Sequence, residues 1–391
     1  MIKYREISGF IFLKKLLKEL KQLLKIGIPI YGSQISYMGM GVTDTIVAGR
    51  ASALDLSGLA IGNALSMPFY FLLGGCLFAV TPIVAQLFGA RKYEEIGQKV
   101  REILWVSIAL GLIGFILYRN LSFFIPYFDI EENIAQISDG YLKAMSFGFV
   151  ANMLFTCLRC YSEGMGLTLP VFWVAFIGML LNIPLDIIFV YGYFGIPPMG
   201  GVGCGIATSI NIIIGLFVLI LVILKKKEYE PTKLFSKFSG PNADTTKEAL
   251  KLGVPIGFGV FVELSMFSGA ALILGSLGAT VISAHTVAIN IASVLFILPL
   301  SFGLAAATRI GNLVGEKELR KAKYASHIAI LICLVGAIVN TAIILSFREA
   351  LVSLYSEDLA VIAIAINLLL FAAIFQIPDG MQMGALGSLR G

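Results

Sequence analysis

The chain has 391 residues, of which 58% are hydrophobic and only 14% are charged, with a formal net charge of +5. A mean hydropathy of +0.90 excludes a water-soluble globular protein with an ordinary polar surface and indicates a polytopic membrane protein. With two scattered histidines and no His-Glu-x-x-His motif, the sequence also argues against a membrane-embedded enzyme.

Ten apolar segments are long enough to cross a bilayer, which takes about 20 residues in a helix. We expect helices, because a segment in lipid must satisfy its own backbone hydrogen bonds. Residues 1–25 form a basic amphipathic stretch, expected as an interfacial helix that leads into the first span. The predicted spans are 26–49, 57–82, 103–125, 141–158, 168–193, 206–224, 252–277, 281–307, 327–346 and 361–386.

The basic residues predict the orientation of these spans. About 25 of the 29 Lys and Arg precede the first span or follow an even-numbered one, and only Arg50, Arg119, Lys143 and Arg348 do not. Cytoplasmic loops carry the excess of positive charge, so the amino terminus is expected in the cytoplasm and the protein in the plasma (inner) membrane. Since the net charge reflects topology, no nucleic-acid partner is expected.

The sequence contains an internal repeat. Lys25–Ile30 (KIGIPI) returns as Lys251–Ile256 (KLGVPI), about 226 residues later. Asn63 and Ser66 in the second span have counterparts in the eighth, at Asn290 and one turn beyond it. Because an even number of spans separates equivalent positions, the two halves are parallel and related by an axis along the membrane normal.

The repeat predicts an N-lobe of six helices over residues 26–225, a cytoplasmic linker over 226–250 and a C-lobe over 251–391. Leu-Arg ends both the fourth and the tenth span, with the arginines at Arg159 and Arg390. About 65 residues and two further spans follow Arg159, whereas one residue follows Arg390. The C-lobe is thus expected to contain helices 7–10 and to lack helices 11 and 12, either as a truncated product or as a ten-helix protein.

Two Gly-x-Pro sites occupy equivalent positions, at Gly27 and Pro29 and at Gly253 and Pro255. Paired Gly/Pro interruptions in both halves indicate helices that bend near a transport site. The alternative is that each proline lies in the first turn of a helix.

Three carboxylates, Asp44, Glu263 and Asp379, lie inside predicted spans. A charged residue at a helix centre costs roughly 2.5–3.5 kcal/mol on insertion scales, so such residues are expected to bind an ion or proton during transport. Structural hydrogen bonding by Glu263 and Asp379 is the alternative.

A second group of polar residues lies in the first half. Asn182 and Asp186 are four apart and therefore share a helix face, and Thr208 lies early in the sixth span. With Asp44 they would form an all-oxygen cluster suited to Na⁺ or a proton. The alternative for Asp186 is a residue at a helix end near Tyr191.

Several motifs together resemble the multidrug and toxic compound extrusion family, closest to its bacterial multidrug branch. They are Val42-Thr-Asp44-Thr-x3-Gly49, Thr81-Pro-x2-Ala-Gln86, Gly178-x3-Asn182-x-Pro184-Leu-Asp186, Gly201-Val-Gly-Cys-Gly-x-Ala-Thr208, Glu263 and Gly387-Ser-Leu-Arg-Gly391. The resemblance implies an all-α protein with twelve helices in two bundles that form a V. It also implies export of amphipathic, mostly cationic organic compounds in exchange for Na⁺ or H⁺.

The resemblance also assigns cation-site roles to six residues: Asp44, Asn182, Asp186, Thr208, Glu263 and Asp379. The chain departs from the family pattern in lacking helices 11 and 12 and in having Phe375 where the family has Tyr.

The remaining expectations concern ligands and partners. Flexible and apolar side chains can form an adaptable drug cavity, and the candidates are Met38, Met40, Met266 and Phe375. The expected partners are small-molecule drugs and membrane lipids, around a monomer with no cofactor and no metal beyond Na⁺. The alternative function is a flippase for lipids or lipid-linked oligosaccharides, which would need an arginine-rich cavity, and the spans contain almost no arginine. The choice between Na⁺ and H⁺ and the identity of the drug stay open.

Overall fold

The computed structural model describes residues 2–128, 130–275, 279–355 and 358–391, and these contain α-helices, two short 3-10 helices and no strand. The 3-10 helices are Leu121–Phe128 and Lys227–Thr232. The α-helices are α1 Ile2–Ala51, α2 Ala53–Leu77, α3 Val80–Gly89, α4 Tyr93–Asn120, α5 Glu132–Gly164, α6 Thr168–Tyr191, α7 Gly201–Lys225, α8 Ala243–Gly275, α9 Ala279–Gly315, α10 Leu319–Ser353 and α11 Leu359–Arg390.

Nine helical segments of the described chain are long and apolar enough to cross a membrane, and they contain nine of the ten predicted spans, apart from residues 276–277, which lie outside the described residues. The predicted span 57–82 covers both α2 and α3, which are separated by a turn at Phe78 and Ala79. The tenth predicted span, 26–49, lies in α1 but is not among the nine segments. Its polar residues, among them Gln34 and Asp44, make it less apolar than the others.

Both Gly-x-Pro sites lie in the interior of helices. Pro29 is inside α1 and Pro255 is inside α8, so neither proline marks the first turn of a helix and that alternative is wrong. A proline in a helix interior removes one backbone hydrogen bond, which leaves these two positions as points where the helices can bend.

The chain packs into two compact units. One, here the Asp44 unit, consists of Gly32–Leu87 and Lys92–Ser265. The other, here the α9–α11 unit, consists of Met1–Tyr31, Phe88–Arg91 and Met266–Gly391. These bounds differ from those of the predicted lobes, because the start of α1 packs with α9 and α10.

The start of α1 is held in the α9–α11 unit by apolar contacts and by one ion pair. Leu23 is fully buried and packs in a cluster with Ala306 and Ile310 of α9. Arg309 of α9 donates two hydrogen bonds to the Glu19 carboxylate, from Nε at 2.9 Å and from Nη2 at 2.8 Å. The predicted amphipathic face of this segment therefore packs on protein.

In the Asp44 unit, α5 packs against α2, α4 and α7, and α6 packs against α7. Here α8 crosses α2 so closely that a side chain at Gly253 would meet the backbone carbonyl of Cys76. Its repeat equivalent Gly27, in the α9–α11 unit, lies against the ring of Phe302 on α9. Both glycines of the repeat thus sit at close helix contacts, which explains why neither position carries a side chain.

Candidate functional site

Four of the six predicted site residues meet in the Asp44 unit. Asn182 Nδ2 donates to Asp44 Oδ1 and to Asp186 Oδ2, both at 2.7 Å. Thr208 Oγ1 donates to the other oxygen of Asp44, at 3.2 Å. Residues from α1, α6 and α7 therefore form one hydrogen-bonded cluster, here the Asp44 cluster.

This cluster is buried and rich in oxygen. Asn182 and Asp186 are fully buried, and Asp44 is 6% exposed. Asp186 Oδ1 has no hydrogen-bond partner among the described residues, so the alternative of a solvated residue at a helix end does not describe it. Buried carboxylate oxygens normally have a partner, and an unpaired one indicates a place for a cation or a proton.

The two carboxylates of the cluster lie close together. The bonded oxygens of Asp44 and Asp186 are each 2.7 Å from the same nitrogen, so they are at most about 5.4 Å apart, twice that length. Two negative charges at that distance repel by about 3 kcal/mol at an effective dielectric constant of about 20. A bound monovalent cation or proton would remove this repulsion, which is the property that a coupling site needs.

A cavity of about 310 Å³ opens beside the cluster, and Asp44 and Thr208 line it. Met40 also lines it, whereas Met38 is not among the lining residues. Six aromatic side chains contribute to its wall: Tyr37, Tyr70, Tyr118, Tyr141, Phe149 and Phe155. A concave, largely apolar pocket with a few polar groups is the usual form of a small-molecule site.

The other cavity candidates lie elsewhere. Met266 of α8 is 71% exposed. Phe375 of α11 packs against a buried apolar cluster of the α9–α11 unit. Glu263, on α8 in the Asp44 unit, and Asp379, on α11 in the α9–α11 unit, are both partly buried, and a joint role for them stays a prediction.

Sequence reasoning missed two residues of this region. Asn211 donates to Asn182 Oδ1 at 3.4 Å, and its own buried oxygen has no hydrogen-bond partner in the described chain. Its spacing from Thr208 was the available signal, because residues three apart share a helix face. Arg159 lines the cavity and is the only arginine among the described lining residues, so the arginine-rich wall that a lipid flippase would need is not present there.

No group of three or more His, Cys, Asp and Glu residues in the described chain could hold a metal ion. The Asp44 cluster instead combines two carboxylates with amides and a hydroxyl, next to a cavity and within helices long enough to span a membrane. These features define a multi-pass membrane transporter.

The chain belongs to the MatE family, whose model matches residues 29–188 and 255–391. It is 38% identical over 374 residues to the multidrug resistance protein NorM of Vibrio cholerae, an alignment that covers 96% of this chain and 82% of the relative. The family resemblance read from the motifs is therefore confirmed.

Solved structures have the same fold. The MATE transporter NorM-NG, in complex with a drug and a monobody, matches with a TM-score of 0.79 and 31% identity over 93% of this chain and 80% of its own. The eukaryotic MATE transporter AtDTX14 matches with a TM-score of 0.85 and 21% identity over 96% of this chain and 83% of its own, which shows the fold alone. The predicted all-helical membrane fold is confirmed.

Proposed function

We propose that this protein exports amphipathic, mostly cationic drugs in exchange for Na⁺ or H⁺, with the Asp44 cluster as a cation-binding site. The observation that carries the proposal is a buried pair of carboxylates at the wall of a cavity of about 310 Å³. The relatives named multidrug resistance proteins and the NorM-NG structure with its bound drug support a drug as the substrate. We place the protein in a bacterial inner membrane with its amino terminus in the cytoplasm.

Competition for one carboxylate couples the two flows. Asp44 lines the cavity and also belongs to the cluster, so its charge can hold either a cationic drug or the coupling ion. Once Na⁺ or H⁺ has neutralised it, the drug loses its counter-charge and is released. A carboxylate that both ligands need binds them one after the other, as an antiporter requires.

The stoichiometry decides which driving force acts. Exchange of one monovalent cation for one monovalent drug moves no net charge, so the ion gradient alone drives export with about 1.4 kcal/mol per tenfold. A neutral drug, or two ions per drug, would add about 2.3 kcal/mol per 100 mV for each net charge.

Glu263 and Asp379 form the second part of the proposal. Each is partly buried in a helix that is apolar enough to span a membrane, where an acidic side chain is costly to keep. We propose that they contribute to cation or substrate binding in the other half of the transport cycle.

The test is efflux of a fluorescent cationic rhodamine dye from inverted vesicles or proteoliposomes, under an imposed Na⁺ or pH gradient. Asp44→Asn keeps the side-chain shape but removes the charge, so efflux should fall by about tenfold or more at normal expression. The control is Asp139→Asn, which removes a carboxylate of α5 that pairs with Lys143 and does not line the cavity. Wild-type efflux by Asp44→Asn would refute the proposal, and the gradient that drives wild-type efflux identifies the ion.

A further inference from the structure

Arg159 of α5 is a cation in the wall of the same cavity as Asp44. Its guanidinium lies over two aromatic rings, 5.7 Å from the centre of Tyr37 and 5.8 Å from that of Phe78. Only 14% of its side chain is exposed. Stacking on aromatic faces leaves the edge of a guanidinium, with its N–H donors, open to a planar acceptor.

The donors of Arg159 are not satisfied within the described chain. Its Nε is buried and makes no hydrogen bond, and the nearby hydroxyl of Tyr37 is in the same condition. The closest carboxylate, that of Glu163, lies 3.8 Å from Nε, which is near enough for charge attraction but too far for a hydrogen bond. Buried donors almost always have a partner, and a guanidinium has five of them, so a group from outside the chain fits here.

The two charged ends of the cavity are separated by a length set by α1. Tyr37, against Arg159, and Asp44 are seven residues apart on this helix and therefore lie on one face. Seven residues of α-helix rise about 10 Å. Aromatic side chains such as Tyr70 and Tyr118 line the same cavity.

We propose that Arg159 is a subsite for an anionic group, and that this cavity accepts flat amphipathic zwitterions as well as cations. The amine of such a ligand would approach Asp44, and its carboxylate would accept hydrogen bonds from Arg159 about 10 Å away. The inference rests on the proposed transport function, because it assigns the substrate class of the same cavity. Glu163 then acts as an internal competitor for Arg159.

The test compares two fluorescent ligands that differ in one charge. They are 7-(piperazin-1-yl)coumarin-3-carboxylate, a zwitterion, and its ethyl ester, a cation. Affinities for the purified full chain in detergent are measured by fluorescence anisotropy. The wild type should bind the acid at least about tenfold more tightly than the ester, which corresponds to about 1.4 kcal/mol.

Variants identify the residue responsible. Arg159→Gln should lower the acid-to-ester affinity ratio by about tenfold, and Arg159→Lys should retain part of it, because a lysine keeps the charge but not the fork of donors. Glu163→Gln should raise the ratio, since the competing carboxylate is gone. The control is Arg119→Gln: Arg119 also lies over two aromatic rings, Phe115 and Phe147, but does not line the cavity, so the ratio should stay unchanged.

Two results would overturn the inference: a wild type that binds the ester as tightly as the acid, or an unchanged ratio in Arg159→Gln. If Arg159→Gln does not fold, the wild-type ratio and the effect of Glu163→Gln still decide. The ester isolates the proposed function, because it needs only Asp44. Ester binding that falls in Asp44→Asn supports that function even when the acid has no advantage, and ester binding that does not fall contradicts it.

Discussion

The ion pair between Glu19 and Arg309 makes a measurable prediction about the start of α1. Two hydrogen bonds of 2.8 and 2.9 Å join the groups, and the exposed fractions of the side chains are 10% for Glu19 and 16% for Arg309. The change Glu19→Gln removes one charge and leaves the guanidinium of Arg309 without its counter-ion.

The size of the effect follows from this geometry. Charges about 4 Å apart attract by about 4 kcal/mol at an effective dielectric constant of about 20. Removal of one partner of a buried pair costs about 3–5 kcal/mol, because the other charge stays buried and unpaired. Since a tenth or more of each side chain is exposed, Glu19→Gln should lower the free energy of unfolding by about 3 kcal/mol, the lower end of that range.

The assay is unfolding in mixed micelles of dodecyl maltoside and sodium dodecyl sulfate, followed by circular dichroism. The control is Lys321→Gln, which breaks the exposed pair of Lys321 with Glu318 and should cost less than about 1 kcal/mol. The double change Glu19→Gln with Arg309→Gln should be less destabilising than the sum of the single changes, since no unpaired charge remains. A cost for Glu19→Gln no larger than that of the control would refute the reasoning.

Three further predictions concern other contacts. Gly253→Ala should destabilise the protein by about 1–3 kcal/mol, because its Cβ would meet a backbone carbonyl of α2, whereas Gly259→Ala on the same helix has open space and should change stability by less than about 0.5 kcal/mol in the same unfolding assay. Tyr229→Phe removes a buried hydrogen bond from the linker to α5, so limited trypsin digestion should cut the linker faster, at a cost of about 1 kcal/mol. Glu263→Gln and Asp379→Asn should each weaken efflux, with non-additive effects if they share a site, whereas small additive losses would favour separate structural roles.

The helices and part of the Asp44 cluster could be predicted from the sequence. Apolar segments of about 20 residues predict spanning helices because lipid leaves the backbone no other solution. The spacing of Asn182 and Asp186 predicts one helix face, and their 2.7 Å hydrogen bond agrees with it. Spacing alone cannot bring Asp44 and Thr208 to the same place, because they come from other helices, and only the family resemblance predicted that meeting.

Other features depend on packing that no local pattern specifies. A proline can end or bend a helix, and only the contacts around Pro29 decide that α1 continues through it. Arg159 was a marker of the repeat in the sequence, and nothing in the sequence of α5 indicates the face that turns to the cavity, because α2, α4 and α7 all pack against this helix. The environment of a residue on such a helix follows from tertiary structure.

The repeat connects the described cavity with the acids of the second half. In the register of the repeat, Glu263 occupies the position of Tyr37, and Tyr37 lines the cavity and lies under Arg159. A position that faces a binding cavity in one half therefore carries a carboxylate in the other. Asp44, in contrast, corresponds to Ala270, so the second half lacks an acid where the first has one. The duplicated framework thus kept its close helix contacts at Gly27 and Gly253 while the polar groups moved along the helices. That divergence lets two similar halves hold different ligands, as exchange of a drug for an ion requires.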